Sequence, residues 1–267
     1  MKIGHTDFDT RHHTYVMGIL NVTPDSFSDG GRWSGREAAL AHARQMVQEG
    51  ADILDIGGES TRPGFRSVPA GEELARILPV IEAVRAELDI PISVDTRKSE
   101  VARAALAAGA DLINDVDGLE DPGMAAVIAD SGSACCLMHH RQLSRAETAG
   151  ADVCAGLAEI LDRALQAGIA RERIILDPGI GFGKSPEINL KLLQQLDCAS
   201  PLGCPLLLGA SRKSVIGLTL NLPSTDRLEG TLVTTVLAVQ AGYGFVRVHD
   251  VRENSRVIRM MEAIREA

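Results

Sequence analysis

Two apolar patterns alternate along the chain. Short, nearly continuous aliphatic runs fall at Tyr15–Asn21, Asp52–Gly57, Pro91–Asp95, Leu112–Asp115, Ala134–His139, Ile174–Asp177, Pro205–Gly209 and Phe245–His249. Runs this short, without polar alternation, mark parallel strands covered on both faces. Between them lie longer stretches rich in Ala, Leu, Glu and Arg at helical spacing, among them Arg36–Glu49, Glu72–Leu88, Cys154–Ala167 and Leu228–Ala241, with a last one over Asn254–Arg265. Eight strands, each followed by a helix, predict an α/β protein of the closed (β/α)8, or TIM barrel, type. A doubly wound open sheet is the alternative, but nothing in that architecture stops at eight units. The 267 residues suit one barrel of about 250 residues. No linker or low-complexity stretch breaks them, so residues 1–267 are expected to form a single domain. Residues 1–14 precede the first strand and are expected to make a short hairpin over the barrel bottom.

The polar residues carry a second regularity. Strand after strand ends on one: Asn21, Asp55 then Glu59, Asp95, Asn114 with Asp115, His139, Asp177, Ser211 with Lys213, and Arg247 with His249. In a (β/α)8 barrel those ends converge on the face where ligands bind. Asp and Asn are also turn formers and helix caps, which accounts for single positions but not for a whole rim. Lys213, Arg212, Arg247 and His249 follow or end the last two strands, where such barrels often hold phosphate. Arg62, within Thr61-Arg62-Pro63-Gly64, either presents a cation to a phosphate or pairs on the surface of an acidic chain. Asp95, Asn114 and Asp177 could grip a flat heterocycle with a forked N–H edge, or include an acid/base pair; spacing in sequence does not separate the two. Asn21 is a neutral oxygen donor suited to a Mg2+ ion that keeps most of its waters.

Composition narrows the partners. With 27 Lys and Arg against 36 Asp and Glu, the net charge is −9 and no basic stripe stands out, so neither nucleic acid nor an acidic membrane surface is expected. No apolar run reaches the roughly 18 residues of a membrane span, and no signal-like stretch opens the chain, so a cytoplasmic location is expected. Cys135, Cys136, Cys154, Cys198 and Cys204 lack metal spacing and read as thiols in a reducing compartment. Gly179-Ile180-Gly181-Phe182-Gly183-Lys184-Ser185 imitates a phosphate-binding loop, but Pro178 takes the place of its first glycine. Gly209-Ala210-Ser211-Arg212-Lys213 is not a nucleophile elbow, because Lys replaces the last glycine. His139 and His140, adjacent on a strand, point to opposite faces and cannot chelate one metal. His12 and His13 precede the barrel and are expected to be solvated.

Seven segments then resemble the dihydropteroate synthase family. Met17-Gly18-Ile19-Leu20-Asn21-Val22-Thr23-Pro24-Asp25-Ser26-Phe27-Ser28-Asp29-Gly30-Gly31 looks like its first signature and Asp55-Ile56-Gly57-Gly58-Glu59-Ser60-Thr61-Arg62-Pro63-Gly64 like its second. Ser93-Val94-Asp95-Thr96, Ile113-Asn114-Asp115, Asp177-Pro178-Gly179, Gly209-Ala210-Ser211-Arg212-Lys213-Ser214 and Arg247-Val248-His249-Asp250-Val251 complete the match. The resemblance implies a transferase that condenses 6-hydroxymethyl-7,8-dihydropterin pyrophosphate with p-aminobenzoate, with Mg2+ as cofactor and a homodimer as the assembly. It implies that Asp95, Asn114, Asp177 and Lys213 hold the pterin, that Asn21 binds Mg2+, and that Arg247 and His249 meet the pyrophosphate. Thr61 and Arg62 would belong to a mobile lid, and Phe182, Ser211, Pro63 and Lys213 would border the p-aminobenzoate pocket, with Lys213, Arg62 and Asp95 closest to catalysis. Three departures stand out: His140–Gly150 lacks the family's Met-Gln-Gly pattern, and Ile180 and Val215 stand where Phe is expected. Methyl transfer from a folate to a corrinoid protein, a pterin-binding paralogue without activity, and a Schiff-base role for Lys213 are the competing readings.

Overall fold

Parallel strands follow one another around a barrel in the computed structural model, which describes residues 1–23, 32–59 and 67–267. A short antiparallel hairpin, β1 (Lys2–Ile3) and β2 (Thr6–Asp7), comes first. The barrel strands are β3 (Tyr15–Asn21), β4 (Ile53–Gly57), β5 (Ile92–Asp95), β6 (Leu112–Asp115), β7 (Ala134–Met138), β8 (Ile174–Asp177), β9 (Leu207–Leu208) and β10 (Phe245–Val248). Hydrogen bonding runs β8-β7-β6-β5-β4-β3-β10-β9, and a parallel bridge from Leu176 to Leu206 joins the two ends. The helices are α1 (Arg32–Glu49), α2 (Ala70–Glu87), α3 (Ser99–Ala107), α4 (Met124–Ser131), α5 (Ala149–Gln166), α6 (Pro186–Gln194), α7 (Ser214–Leu220), α8 (Leu228–Gln240) and α9 (Val251–Glu266). The expected (β/α)8 architecture and the N-terminal hairpin are therefore both present. No helix among the described residues is long and apolar enough to cross a membrane.

The two-residue period of a strand sorts each one into an inner and an outer face. Outer positions such as Leu54, Ile56, Ile92, Val94, Ile113, Leu176 and Val246 join the layer between strands and helices. α5 answers with Val153, Leu157, Ile160, Leu161 and Ala164, the one-face spacing of an amphipathic helix. Inner positions at the N-terminal ends, Met17, Ile53, Leu112, Ile175, Leu207 and Phe245, form a second cluster that Ile3 and Phe8 of the hairpin segment close from below. Phe8 sits edge-on to Tyr15 at 4.7 Å and tilted against Phe245 at 5.7 Å. Two residues further along each strand the inner face turns polar: Ile53 gives way to Asp55, Leu112 to Asn114, Ile175 to Asp177, and Phe245 to Arg247. The barrel is thus an apolar plug beneath a polar mouth.

Element bounds differ from expectation where local chemistry overrides apolar periodicity. α5 begins at Ala149 rather than Cys154, because Thr148 and Asp152 tie its first turn together (Oγ1 to Oδ2, 2.6 Å; Asp152 N–H to Thr148 O, 2.8 Å) where Ala and Gly carry no periodic signal. The loop expected over His140–Gly150 is shorter accordingly. The false phosphate-loop motif ends as a helix start: Ser185 Oγ accepts the Ile188 N–H at 3.3 Å and Pro186 occupies the first turn of α6. His13 is not simply solvated, since its Nδ1 meets Glu262 at 2.7 Å and its ring packs edge-on to Tyr15 at 4.5 Å. His12 does lie exposed, bonded to Asp9 at 2.9 Å.

The plug carries a stability prediction separable from the mouth. Phe8→Ala should lower unfolding free energy by about 3 kcal/mol through a cavity among Ile3, Tyr15 and Phe245. Urea melts would show this, with ligand affinity at the opposite end of the barrel unchanged.

Candidate active site at the barrel mouth

Register places the mouth residues side by side. Asn21 pairs with Gly57, Gly57 with Asp95, and Asp95 with Asn114 across β3 to β6. Gly57 leaves the row open between two oxygens: a Cβ there would lie 3.7 Å from Asn21 Oδ1 and 3.9 Å from Asp95 Oδ2. Arg247 reaches across from β10. Its Nε donates to Asp55 Oδ2 and its Nη2 to Asp95 Oδ2, both at 2.6 Å. Asp55, fully buried, also accepts Ser93 Oγ at 2.5 Å and Asn114 Nδ2 at 3.3 Å. Asp95 Oδ1, in contrast, is buried and has no partner among the described residues. An unpaired buried carboxylate oxygen is costly, and burial, with the neighbouring Asp55 and Glu73 charges working against Arg247, pushes the Asp95 pKa up to about 7.

The opposite side of the mouth is built by the turn after β8. Gly179 and Gly181 have φ of +70° and +84°, and a Cβ on Gly179 would lie 1.9 Å from His139 O, so the turn closes only with glycine there. Lys184 Nζ binds the turn from within, donating to the carbonyls of His139, Gly179 and Phe182 at 3.0, 2.9 and 3.0 Å. Burial lowers its pKa to about 8. Asn189 adds an acceptor for the Gly181 N–H at 2.7 Å, and Asp177 Oδ1 accepts the Gly179 N–H at 2.7 Å. Lys213 threads into this frame: its Nζ donates to Ile180 O and stands 4.3 Å above the Phe182 ring. Burial drives Lys213 down to about 7 against the pull of Asp177, and burial likewise raises Asp177. Lys184 was set aside with the false phosphate loop at the level of sequence; a Lys flanked by glycines in a turn of carbonyls is the signal that could have found it.

Other rim residues do different work. Ser211 Oγ lies 3.0 Å from His249 Nδ1 and accepts the His249 N–H at 3.2 Å, so these two candidates form one unit. Arg212, in a left-handed backbone conformation (φ +55°), pairs through both Nε and Nη2 with Asp250. Asp115 is a turn former, accepting the N–H groups of Asp117 and Leu119 at 3.0 and 2.7 Å. His139 faces α5, its Cδ2 only 2.5 Å from where a Gly156 Cβ would stand, and burial takes its pKa down to about 4. Glu59 anchors the neighbourhood of β4 by accepting from Arg97 at 2.9 Å and from Lys98 and the Val68 N–H at 2.8 Å. Ile180 and Val215 are buried in the outer core, where aliphatic side chains serve as packing. Thr61, Arg62 and Pro63 lie outside the described residues, as do Pro24–Gly31 of the first signature.

The donor chemistry bears on a metal. No group of three or more His, Cys, Asp or Glu among the described residues could hold an ion by itself. The half-buried Asn21 at the end of β3 offers one neutral oxygen at the mouth. A single hard oxygen fits Mg2+ that keeps its waters and takes its remaining ligands from a bound phosphate.

A polar mouth of buried carboxylates, two amides and the half-buried cations Lys213 and Arg247 over a plugged (β/α)8 barrel defines a pterin-binding enzyme, and a family model described as a pterin binding enzyme matches residues 17–249. Within that class the chain belongs to the dihydropteroate synthase family. It is 50% identical over 266 residues to the dihydropteroate synthase of Clostridium beijerinckii, covering 99% of both chains. It superposes with a TM-score of 0.93 on the Clostridium difficile dihydropteroate synthase crystallised in the presence of pteroic acid, at 48% identity over 97% of this chain and 99% of that one. The Xanthomonas albilineans dihydropteroate synthase with 4-aminobenzoic acid gives 0.90, at 46% identity, over 96% of this chain and 94% of that one.

The titrating groups predict the pH dependence of ring binding. An N–H-rich edge bonds to ionised carboxylate, so below about pH 7 binding must expel a proton from Asp95 and affinity falls with acid. Above about pH 7 Lys213 is neutral before a ring binds, and a ring acceptor facing it must draw a proton in, so affinity falls again. Titration calorimetry with a neutral pterin from about pH 5 to 9 should trace a bell centred near neutrality; a flat profile contradicts these assignments.

Proposed function

We propose that the chain condenses 6-hydroxymethyl-7,8-dihydropterin pyrophosphate with p-aminobenzoate, releasing pyrophosphate and giving 7,8-dihydropteroate for folate biosynthesis. The observation that carries this reading is the unpaired Oδ1 of Asp95, a residue bonded to Arg247 through its other oxygen and in register with Asn114 at the barrel mouth. An acceptor buried without a partner calls for a donor, and the 2-amino-4-oxo edge of a pterin supplies several. Membership of the dihydropteroate synthase family supports the same substrates.

Asp95, Asn114 and Asp177 grip the ring, and Lys213 serves both substrates from its place over Phe182. Arg247, with one edge held by Asp55 and Asp95, and the Ser211–His249 pair face the pyrophosphate side. Asn21 would hold a hydrated Mg2+, which when bound neutralises charge on the pyrophosphate. As the C–O bond of the pterin methylene breaks, the electron pair leaves with pyrophosphate and the cations stabilise it. The positive charge left on the pterin is taken by the p-aminobenzoate nitrogen as the C–N bond forms, and that nitrogen then gives up a proton to solvent. A neutral aryl amine is already nucleophilic, so the site requires no strong general base. Thr61, Arg62 and Pro63 complete the p-aminobenzoate side, Arg62 as a further cation and all three as a screen against water.

The chain acts as one domain of residues 1–267, in the cytoplasm, as a homodimer. Five free cysteines support the compartment. Exposed Leu218 and Leu220 on α7, Val233 on α8, and Met260 and Ile264 on α9 support self-association.

Release of pyrophosphate from the pterin pyrophosphate with Mg2+, measured with and without p-aminobenzoate, tests the reading. Dihydropteroate formed only with both substrates, and suppressed by a sulfonamide, is the expected result. Tight pterin binding without product would make the chain a binding protein. Lys213→Ala should lower kcat/KM by about 100-fold, since one ammonium serves both pockets. Arg62→Ala should lower kcat by about 10-fold with pterin affinity little changed; a parallel loss of affinity would place Arg62 on the pterin itself.

A further inference from the structure

Asp55 is absent from the set of ring-binding residues, yet it makes more side-chain bonds than any residue in that set. It is fully buried on the inner face of β4, one layer below the mouth. Oδ1 accepts Ser93 Oγ at 2.5 Å, while Oδ2 accepts both Arg247 Nε at 2.6 Å and Asn114 Nδ2 at 3.3 Å. Donor and acceptor patterns then fix an orientation that geometry alone leaves open. An amide is nearly symmetric in shape, and its two ends differ only in what they can bond. A carboxylate paired with a guanidinium can only accept, so Asn114 must turn its NH2 group down towards Asp55. Its carbonyl oxygen is then the end directed away from Asp55.

We infer that Asp55 is a positioning residue for ring specificity: by claiming the Asn114 NH2 and the Arg247 Nε, it makes Asn114 present an acceptor beside Asp95. The pocket floor thereby becomes acceptors side by side, Asp95 Oδ1 and Asn114 Oδ1, which selects a ring edge of adjacent N–H donors and rejects one that carries oxygen in the place of the amino group. Ser93 completes the arrangement by occupying Oδ1, leaving Oδ2 as the acceptor shared by Arg247 and Asn114. The inference deepens the proposed function and rests on it.

The test is a ratio of affinities. Binding of pterin and of its 2,4-dioxo analogue is measured by calorimetry for the unaltered protein, Asp55→Ala and Asp55→Asn. Asp55→Ala frees the Asn114 amide to rotate, and the preference for pterin should shrink by about 10-fold or more, with the analogue gaining on pterin. Asp55→Asn keeps an acceptor for Arg247 and Asn114 while its NH2 turns to Ser93, so it should hold the preference within about threefold. In turnover, Asp55→Ala should raise KM for the pterin substrate and leave KM for p-aminobenzoate unchanged. A purely structural Asp55 would weaken both rings in parallel, and an unchanged ratio in Asp55→Ala overturns the inference. So does a collapse of the ratio in Asp55→Asn, which would assign the effect to charge. If Asp55→Ala does not fold, Asn114→Ala replaces it: loss of pterin binding with the analogue unaffected agrees, and equal loss of both contradicts. Failure of the unaltered protein to bind pterin at all would strike the proposed function instead.

Discussion

A half-buried guanidinium held between two carboxylates governs this structure. Arg247 sits on the inner face of a strand in a barrel otherwise plugged with Met, Ile, Leu and Phe, a place where an unpaired charge could not be held. Asp55 and Asp95 make it possible, and together they hold its pKa above the ordinary value for arginine even against burial. The pairing is unequal. Asp55 is saturated with donors, whereas Asp95 gives one oxygen to Arg247 and keeps the other without a partner. Asp95 Oδ1 is therefore an unsatisfied acceptor among the described residues, and a ligand that supplies a donor relieves it. With Asp177 and Lys213 added, three buried carboxylates face two cations; burial is what brings both Asp95 and Lys213 to about 7, upward for the acid against Arg247 and downward for the lysine against Asp177.

The second half of the site depends on backbone rather than charge. The turn from Pro178 to Ser185 turns several carbonyls towards Lys184, and that ammonium holds the turn together from inside. Lys213 borrows one further carbonyl, from Ile180, and the Phe182 face. Strand ends thus position the ring-binding acids, while a lysine-bound turn positions the group shared by both substrates. The two halves meet where Asp177 ends β8 and caps the same turn through the Gly179 N–H.

How much of this was legible in the sequence follows from the physics of each signal. Strands such as Tyr15–Asn21, Leu112–Asp115 and Ile174–Asp177 were readable to the residue, because aliphatic runs ending on Asn or Asp have sharp edges. The early start of α5 was not, since Thr148 and Asp152 begin it without any apolar period. Rim residues were visible as a class, but the sequence could not say which faced inward: Asp115 and His139 lie on outer faces, one as a turn former and one against Gly156. Arg212 and Lys213 are adjacent yet meet different partners, Asp250 for the one and the Ile180 carbonyl and Phe182 ring for the other. Asp55 and Lys184 were on the page but unassigned, because their roles consist of bonds to residues distant in sequence.

A crystal structure with a pterin ring bound tests the central claim most directly. The account predicts the ring's N–H edge within hydrogen-bonding distance of Asp95 Oδ1, Asp177 and Asn114 Oδ1, with Arg247 still seated on Asp55. A ring bound elsewhere on the barrel mouth, leaving Asp95 Oδ1 without a partner, would contradict it.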